Sequence, residues 1–188
     1  MKLYIFDFDG TISKKDSFIL FTFFTTTTFR LLYFYVTILF YYPVKSKSKL
    51  KESFFDSFKG CDLKKFEQIC SRFENKVLNK TIKKSFLNYI SSIEKDSIKI
   101  VVSASISTYL KPWCNRYGLH LISTELEVIN GLLTGKFSTP NCNGKEKVKR
   151  ILQLYNLDKF DEVHVFGNSK GDIPMLELGT HKYYKFFK

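Results

Sequence analysis

Asp7, Phe8, Asp9, Gly10 and Thr11 close the first apolar run of the chain and set two carboxylates two positions apart. On a strand, residues two apart point to the same face. Two acids held together repel each other unless a cation or a shared proton lies between them. A hard cation such as Mg²⁺ suits carboxylate and carbonyl oxygens, so Asp7 and Asp9 form a candidate metal-binding pair. Gly10 permits the sharp turn out of the strand. Taken alone, the motif also fits an ordinary solvated turn.

Three later stretches carry groups that complement such a pair. Ser103 follows the apolar run IKIVV. A hydroxyl at a strand end, before a helix, can donate to a phosphate oxygen. NGKEKVKR, residues 143–150, opens a helix with lysines. Either Lys145 or Lys147 can neutralise a phosphoryl oxygen there. GNSKGDIPML, residues 167–176, follows the apolar run EVHVF. Gly167 and Gly171 permit a loop, and Asp172 stands at the next helix start as a third acid able to converge on Asp7 and Asp9. Singly, Ser103 also reads as a helix cap and the lysines as a solvated face.

Four distant stretches need a scaffold that gathers them. Met1 to Phe8, IKIVVS, HLISTELEV, EVHVFG and HKYYKFF read as strands, and NGLLTGKF as a hairpin closed at Asn130-Gly131. Ser105–Tyr117, Lys145–Tyr155 and Asp172–Leu178 read as helices. This alternation predicts an α/β protein with a parallel sheet, and such sheets bind ligands at the carboxyl ends of their strands. Residues 17–96 interrupt the alternation after the first strand. Within them Phe54, Phe55, Phe58, Phe66, Ile69, Phe73 and Val77 recur at helical spacing, and Asp62 before LKKFE is a candidate N-cap. The expectation is a core of residues 1–16 and 97–188 with a helical insert at 17–96.

Composition narrows the class further. The chain has 188 residues, 44% of them hydrophobic, enough to bury a core and exclude a disordered tail. The net charge is +12, yet most basic residues are Lys, and Phe, Tyr, Ile, Asn and Ser are plentiful. A/T-rich coding gives the same bias, so the charge permits anionic partners without showing one. Cys61, Cys70, Cys114 and Cys142 form no CxxC pair, which fits reduced core thiols. Asp7 and Asp9 break any signal-peptide pattern, so secretion is not expected.

Ser17 to Pro43 is very apolar, with Arg30 its one charge. Arg30 divides it into two pieces of 13 residues, each shorter than the roughly 18 to 20 that span a bilayer. Lys45, Lys47, Lys49 and Lys51 follow. Two readings stay open: a buried helical hairpin, or interfacial helices with the lysines at anionic headgroups.

The order strand-DxDGT, strand-Ser, helix-Lys, strand-GNxxxD resembles the haloacid dehalogenase (HAD) superfamily of aspartate-nucleophile phosphohydrolases. The likeness covers nearly the whole chain. It is nearest to subfamily IB, which contains phosphoserine-phosphatase-like proteins with a helical cap inserted after the first motif. SASISTYLKPWCNRYG, TELEVINGLLTGKF and NCNGKEKVKR carry the same likeness. The resemblance implies a Rossmann-like core, a cap at residues 17–96, and Mg²⁺-dependent hydrolysis of a phosphomonoester through an aspartyl-phosphate.

Residue by residue, it implies Asp7 as nucleophile and Asp9 as the acid that protonates the leaving alcohol and then activates water. Gly10, Thr11 and Ser103 would hold the phosphate. Asp7, Asp9, Asn168 and Asp172 would form the metal site. GKEKV favours Lys147 as the motif lysine, while distance from the turn also allows Lys145. Asn168 stands where many members have Asp, so a weakened metal site, or a binding-only relative, is the alternative. Asp16 stands where phosphoserine phosphatases use a Glu to grip the substrate head.

The expected partner is a phosphorylated small molecule. A lipid phosphate is the second expectation, with peripheral membrane contact through residues 17–51, because the apolar run beside lysines looks similar to caps of phosphatidylglycerophosphate phosphatases in the subfamily. The expected location is cytoplasmic or at the inner face of the membrane. No nucleic-acid partner is expected, since the aromatics cluster in apolar runs rather than interleaving with Lys.

Overall fold

A computed structural model describes residues 1–26 and 47–188. Strand β1 (Lys2–Phe6) is buried on both faces, as its unbroken apolar run requires of a central parallel strand. It sits in the middle of a five-stranded sheet with β2 (Ile98–Ile106) and β3 (His120–Thr124) on one side. On the other side lie β6 (Glu162–Gly167) and β7 (His181–Tyr184), and every pairing is parallel. The chain fills the sheet outward from β1 to β3, then returns to the opposite side of β1 with β6. That reversal opens a crevice beyond the carboxyl ends of β1 and β6, where ligands bind in such sheets. The α/β fold class predicted from the alternation is the one observed.

Between β1 and β2 lie helices α1 (Ser17–Thr25), α2 (Lys47–Asp56), α3 (Leu63–Lys76) and α4 (Lys84–Ser92). After β2 come α5 (Ser107–Arg116), the antiparallel pair β4 (Leu126–Ile129) and β5 (Leu132–Phe137), α6 (Lys145–Leu154) and α7 (Ile173–Leu176). Asp62 caps α3, accepting from Lys65 N at 3.1 Å, as its position predicts. Asn130 and Gly131 turn the hairpin with φ of 51° and 78°, the positive values that a two-residue hairpin turn demands.

Alternation along β1 divides the core. Leu3 and Ile5 pack with Ile100, Val102, Val163, Val165, Ile151 and Met175 on one face. Tyr4 and Phe6 pack with Val101, Phe166, Tyr109 and Trp113 on the other. The second cluster continues without a break into Phe18, Phe21, Phe54, Phe55, Phe66, Phe73 and Phe86 of α1 to α4. Phe21 joins the two parts, its ring 5.0 Å from Tyr109 and 5.1 Å from Phe73. Each fully buried Phe contributes about 1.5–3 kcal/mol of transfer free energy.

Three expectations need adjustment. Strand β2 runs on to Ile106 and the following helix starts at Ser107 rather than Ser105, because the β2–β3 register shifts between Ser103 and Ile106 and the strand continues through the irregularity. HLISTELEV is two strands, since β3 pairs with β2 while β4 pairs with β5. The last strand stops at Tyr184, because Lys185 takes a φ of 54° and Phe187 folds back against Phe86. Most of the apolar run 17–43 lies outside the described residues. Its beginning, α1, turns Phe18, Phe21 and Thr22 into the core. Among the described residues no helix is long and apolar enough to cross a membrane.

Candidate active site

Asp7 leaves the end of β1 beside β6, donating its backbone N–H to Phe166 O at 2.9 Å. Asp7 is 6% exposed. Lys147, on the first turn of α6, reaches across and places its ammonium 2.6 Å from Asp7 Oδ1 and 2.7 Å from Asp172 Oδ1. Lys145 is exposed on the same helix. The two lysines are two positions apart, about 200° around a helix, so Lys147 reaches the cleft while Lys145 faces solvent.

Asp172 closes the loop after β6. Its Oδ2 accepts from Ser169 N at 2.9 Å, Ser169 Oγ at 2.7 Å and Asn168 N at 3.2 Å, so both carboxylate oxygens are committed. Gly167 permits this closeness, because a Cβ there would stand 2.6 Å from Asp172 Cβ. Thr11 donates toward Asp7 Oδ2 at 3.0 Å and Asn168 Oδ1 at 3.3 Å, which draws those two oxygens together. Gly10 takes a φ of +81° and lies so close to the Asn168 amide that a Cβ would overlap it. The Gly10 carbonyl accepts from Lys83 Nζ at 2.7 Å, which fixes the turn from the side of α4.

Asp9 lies on the opposite wall. Its Oδ1 accepts from Ser17 N at 2.7 Å and its Oδ2 from Ser105 Oγ at 2.7 Å. Ser105 and Ser17 hydroxyls lie 2.9 Å apart, and Ser17 Oγ is 3.4 Å from Tyr109 OH. Ser103 is fully buried, its Oγ accepting from Ser105 N at 3.1 Å. Asp16 caps α1, accepting from Ile19 N at 3.1 Å, and also lines the cleft. The cleft measures about 470 Å³ and is walled by Asp7, Asp9, Lys147 and Asp172, with Asn141, Asn143 and Lys51 around the rim.

Lys51 is turned toward the cleft. It belongs to the lysine run for which anionic headgroups are one of two open readings, and its Nζ lies 3.2 Å from Ala104 O and 5.2 Å above the Phe18 ring. Packing of Phe54, Phe55 and Phe58 sets the roll of α2 and turns Lys51 inward. Ser105, Ser17 and Lys83 were likewise invisible as site residues. Ser105, two places beyond Ser103, had a signal in the Ser-Ala-Ser spacing; the others depend on tertiary packing.

Burial sets the charge states. Desolvation raises the Asp7 pKa from 3.8 to about 6, against the pull of Lys147. Asp9 is also raised, by burial and then by Asp16. Asp172 is lowered: burial opposes its charge, but Lys147 and the Ser169 turn outweigh that. Lys147 loses by burial yet is held charged above its usual range by Asp7 and Asp172. The site thus sets Asp7 and Asp172 against one fully buried ammonium, with Asp9 and Asp16 in the same cleft and Lys51 half-buried at the rim, its pKa lowered by burial.

The sequence model for haloacid dehalogenase-like hydrolases matches residues 4–177. Protein CicA of Caulobacter vibrioides is 26% identical, over 99% of this chain and 86% of that protein. A Bordetella pertussis Tohama I protein of unknown function superposes with a TM-score of 0.84 at 20% identity, covering 95% of this chain and 87% of the other. A phosphoserine phosphatase solved as a phospho-aspartyl intermediate analogue gives 0.66 at 16% identity, covering 95% and 83%. These last two likenesses are likenesses of fold. The match over residues 4–177 makes the chain a member of the haloacid dehalogenase-like hydrolase family.

Proposed function

We propose that this chain hydrolyses a phosphomonoester with Asp7 as nucleophile. The observation that carries the reading is the Asp7 carboxylate at the switch point, bound to Lys147 through Oδ1 across 2.6 Å and facing Asp9 over the cleft. Asp7 attacks phosphorus, an O–P bond forms, and the bond from phosphorus to the leaving oxygen breaks. Asp9, raised by burial, gives its proton to that oxygen. Water then loses a proton to Asp9 and attacks phosphorus, which releases phosphate and regenerates the Asp7 carboxylate. Lys147 neutralises charge on the transferred group, the main requirement of phosphoryl transfer.

The donor set fits Mg²⁺. Asp7 Oδ2 and Asn168 Oδ1 are hard oxygens drawn together by Thr11, and the acids outnumber the buried cation. Asp7, the Asp9 backbone carbonyl and Asn168 would hold the ion, with Asp172 adding charge while it anchors Lys147. When bound, Mg²⁺ supplies charge neutralisation for the phosphoryl oxygens. Asn168 keeps an oxygen ligand while removing one charge, which supports a weaker metal site rather than a binding-only protein.

Residues 17–96 would act as the cap that selects substrate, with Asp16 and Lys51 at its contact with the cleft. A cleft of about 470 Å³ with a polar wall supports a phosphorylated small molecule over a lipid phosphate. The test is a panel of soluble and lipid phosphomonoesters assayed for phosphate release with Mg²⁺. Hydrolysis of at least one soluble ester, lost with chelator and restored by Mg²⁺, is expected. Release from no ester overturns the reading, and release from lipid esters alone overturns the substrate class.

A further inference from the structure

A second cluster of ligand groups lies at the amino ends of β6 and β7, away from the crevice. Glu162 and His164 are two apart on β6 and share a face. His181 opens β7 and pairs in register with His164, which in turn pairs with Tyr4 of β1. The rings stack in a ladder, Tyr4 to His164 at 4.6 Å and His164 to His181 at 4.5 Å. One ligand atom from each of Glu162, His164 and His181 lies within 4.8 Å of the others.

Each imidazole has its Nδ1 committed to an oxygen. His164 Nδ1 faces Tyr183 OH at 3.3 Å, while its Nε2 lies 2.7 Å from Glu162 Oε2. His181 Nδ1 faces Thr180 Oγ1 at 3.0 Å. Metal-bound histidines characteristically commit the other ring nitrogen to an outer oxygen, and here both rings have Nδ1 so engaged. The competing cation is Lys2, 3.7 Å from Glu162 Oε1, but Glu94 stands 3.4 Å from the same ammonium and can retain it.

We propose that Glu162, His164 and His181 bind a borderline divalent transition metal, with Zn²⁺ as the representative ion. Two imidazoles and one carboxylate suit such ions, whereas the all-oxygen cleft suits Mg²⁺. The two rings stand 12° from parallel, so seating one ion at the roughly 2.0–2.2 Å that zinc takes with nitrogen and carboxylate oxygen requires the exposed His181 to swing out of the stack. The ion joins edge strand β7 to β6, and binding to the native state alone raises stability. The inference is independent of the proposed hydrolysis.

The test uses the full chain, stripped of metal and held in excess Mg²⁺ to occupy the carboxylate cleft. Zn²⁺ titrated by calorimetry should bind at one equivalent and raise Tm. His181→Ala and Glu162→Gln, each first checked for native circular dichroism, should each weaken this binding at least tenfold. Co²⁺ should give visible d–d bands that either substitution abolishes. Should one variant fail to fold, the other carries the comparison, and with the wild-type chain the Co²⁺ bands and a shift of the His164 and His181 imidazole resonances decide. Absence of Zn²⁺ binding above Mg²⁺, or binding and bands unchanged in a folded variant, would overturn the site.

Discussion

Ser105 gives its hydroxyl hydrogen to Oδ2 of Asp9 across 2.7 Å, from the irregular end of β2. This bond favours the ionised form of Asp9 and partly offsets the burial that raises it. Ser105→Ala should therefore raise the Asp9 pKa further. We expect kcat to fall about tenfold, since a positioned acid–base group contributes roughly 10²–10⁴. The basic limb of the pH–rate profile should move to higher pH. An unmoved limb would remove Ser105 from the positioning of Asp9.

Asn168→Asp restores a negative charge beside Asp7 Oδ2. A charge a few ångströms from a dication is worth about 1 kcal/mol or more even in a well-screened site. The Mg²⁺ concentration for half-maximal activity should fall at least several-fold, measured by titrating Mg²⁺ into stripped protein. An equal or higher requirement would contradict the assignment of Asn168 as a ligand.

Ionised Asp7 costs native stability, because burial opposes its charge. Its native pKa of about 6 lies above 3.8, so the protonated native form is favoured and this contribution is lost as pH rises through about 6. The difference corresponds to about 3 kcal/mol at roughly 1.4 kcal/mol per pKa unit. Asp7→Asn keeps the shape without the charge, and Lys147 retains Asp172 at 2.7 Å. In chelator, the variant should be more stable than wild type at pH 8, by up to about 3 kcal/mol, with the gap shrinking toward pH 5. Urea unfolding at the two pH values checks the sign.

Lys51 brings a positive charge from α2 to the cleft wall. Lys51→Met should preserve packing over Phe18 while removing that charge. We expect kcat/KM for a phosphomonoester dianion to drop about tenfold, carried mainly by KM, because the lost attraction acts on the bound ground state as well as the transition state. A change confined to kcat would place Lys51 nearer the chemistry.

Legibility differed by residue. Asp7, Asp9, Asp172 and Asn168 were readable because each sits at a strand end marked by an apolar run and a glycine. The sheet was readable for the same reason. Lys145 and Lys147 were not separable in sequence, since the roll of α6 against β1 is set by Ile151 and its neighbours in the core. The Ser-Ala-Ser spacing hints at Ser105, but its reach to Asp9 depends on the irregular end of β2, where the register shifts. Lys51 was hidden in a run of alternating lysines, where only the packing of α2 decides which one turns inward. The pairing of His164 with His181 depends on a parallel register 17 residues apart, which hydrophobic pattern alone does not fix.

The most direct measurement compares p-nitrophenyl phosphate hydrolysis by wild type and Asp7→Asn in saturating Mg²⁺. Wild type should turn over, and the variant, folded and more stable at pH 8, should lose at least about 10³-fold in kcat, the scale of removing a covalent nucleophile. Activity unchanged by the substitution would contradict Asp7 as the group that receives the phosphoryl.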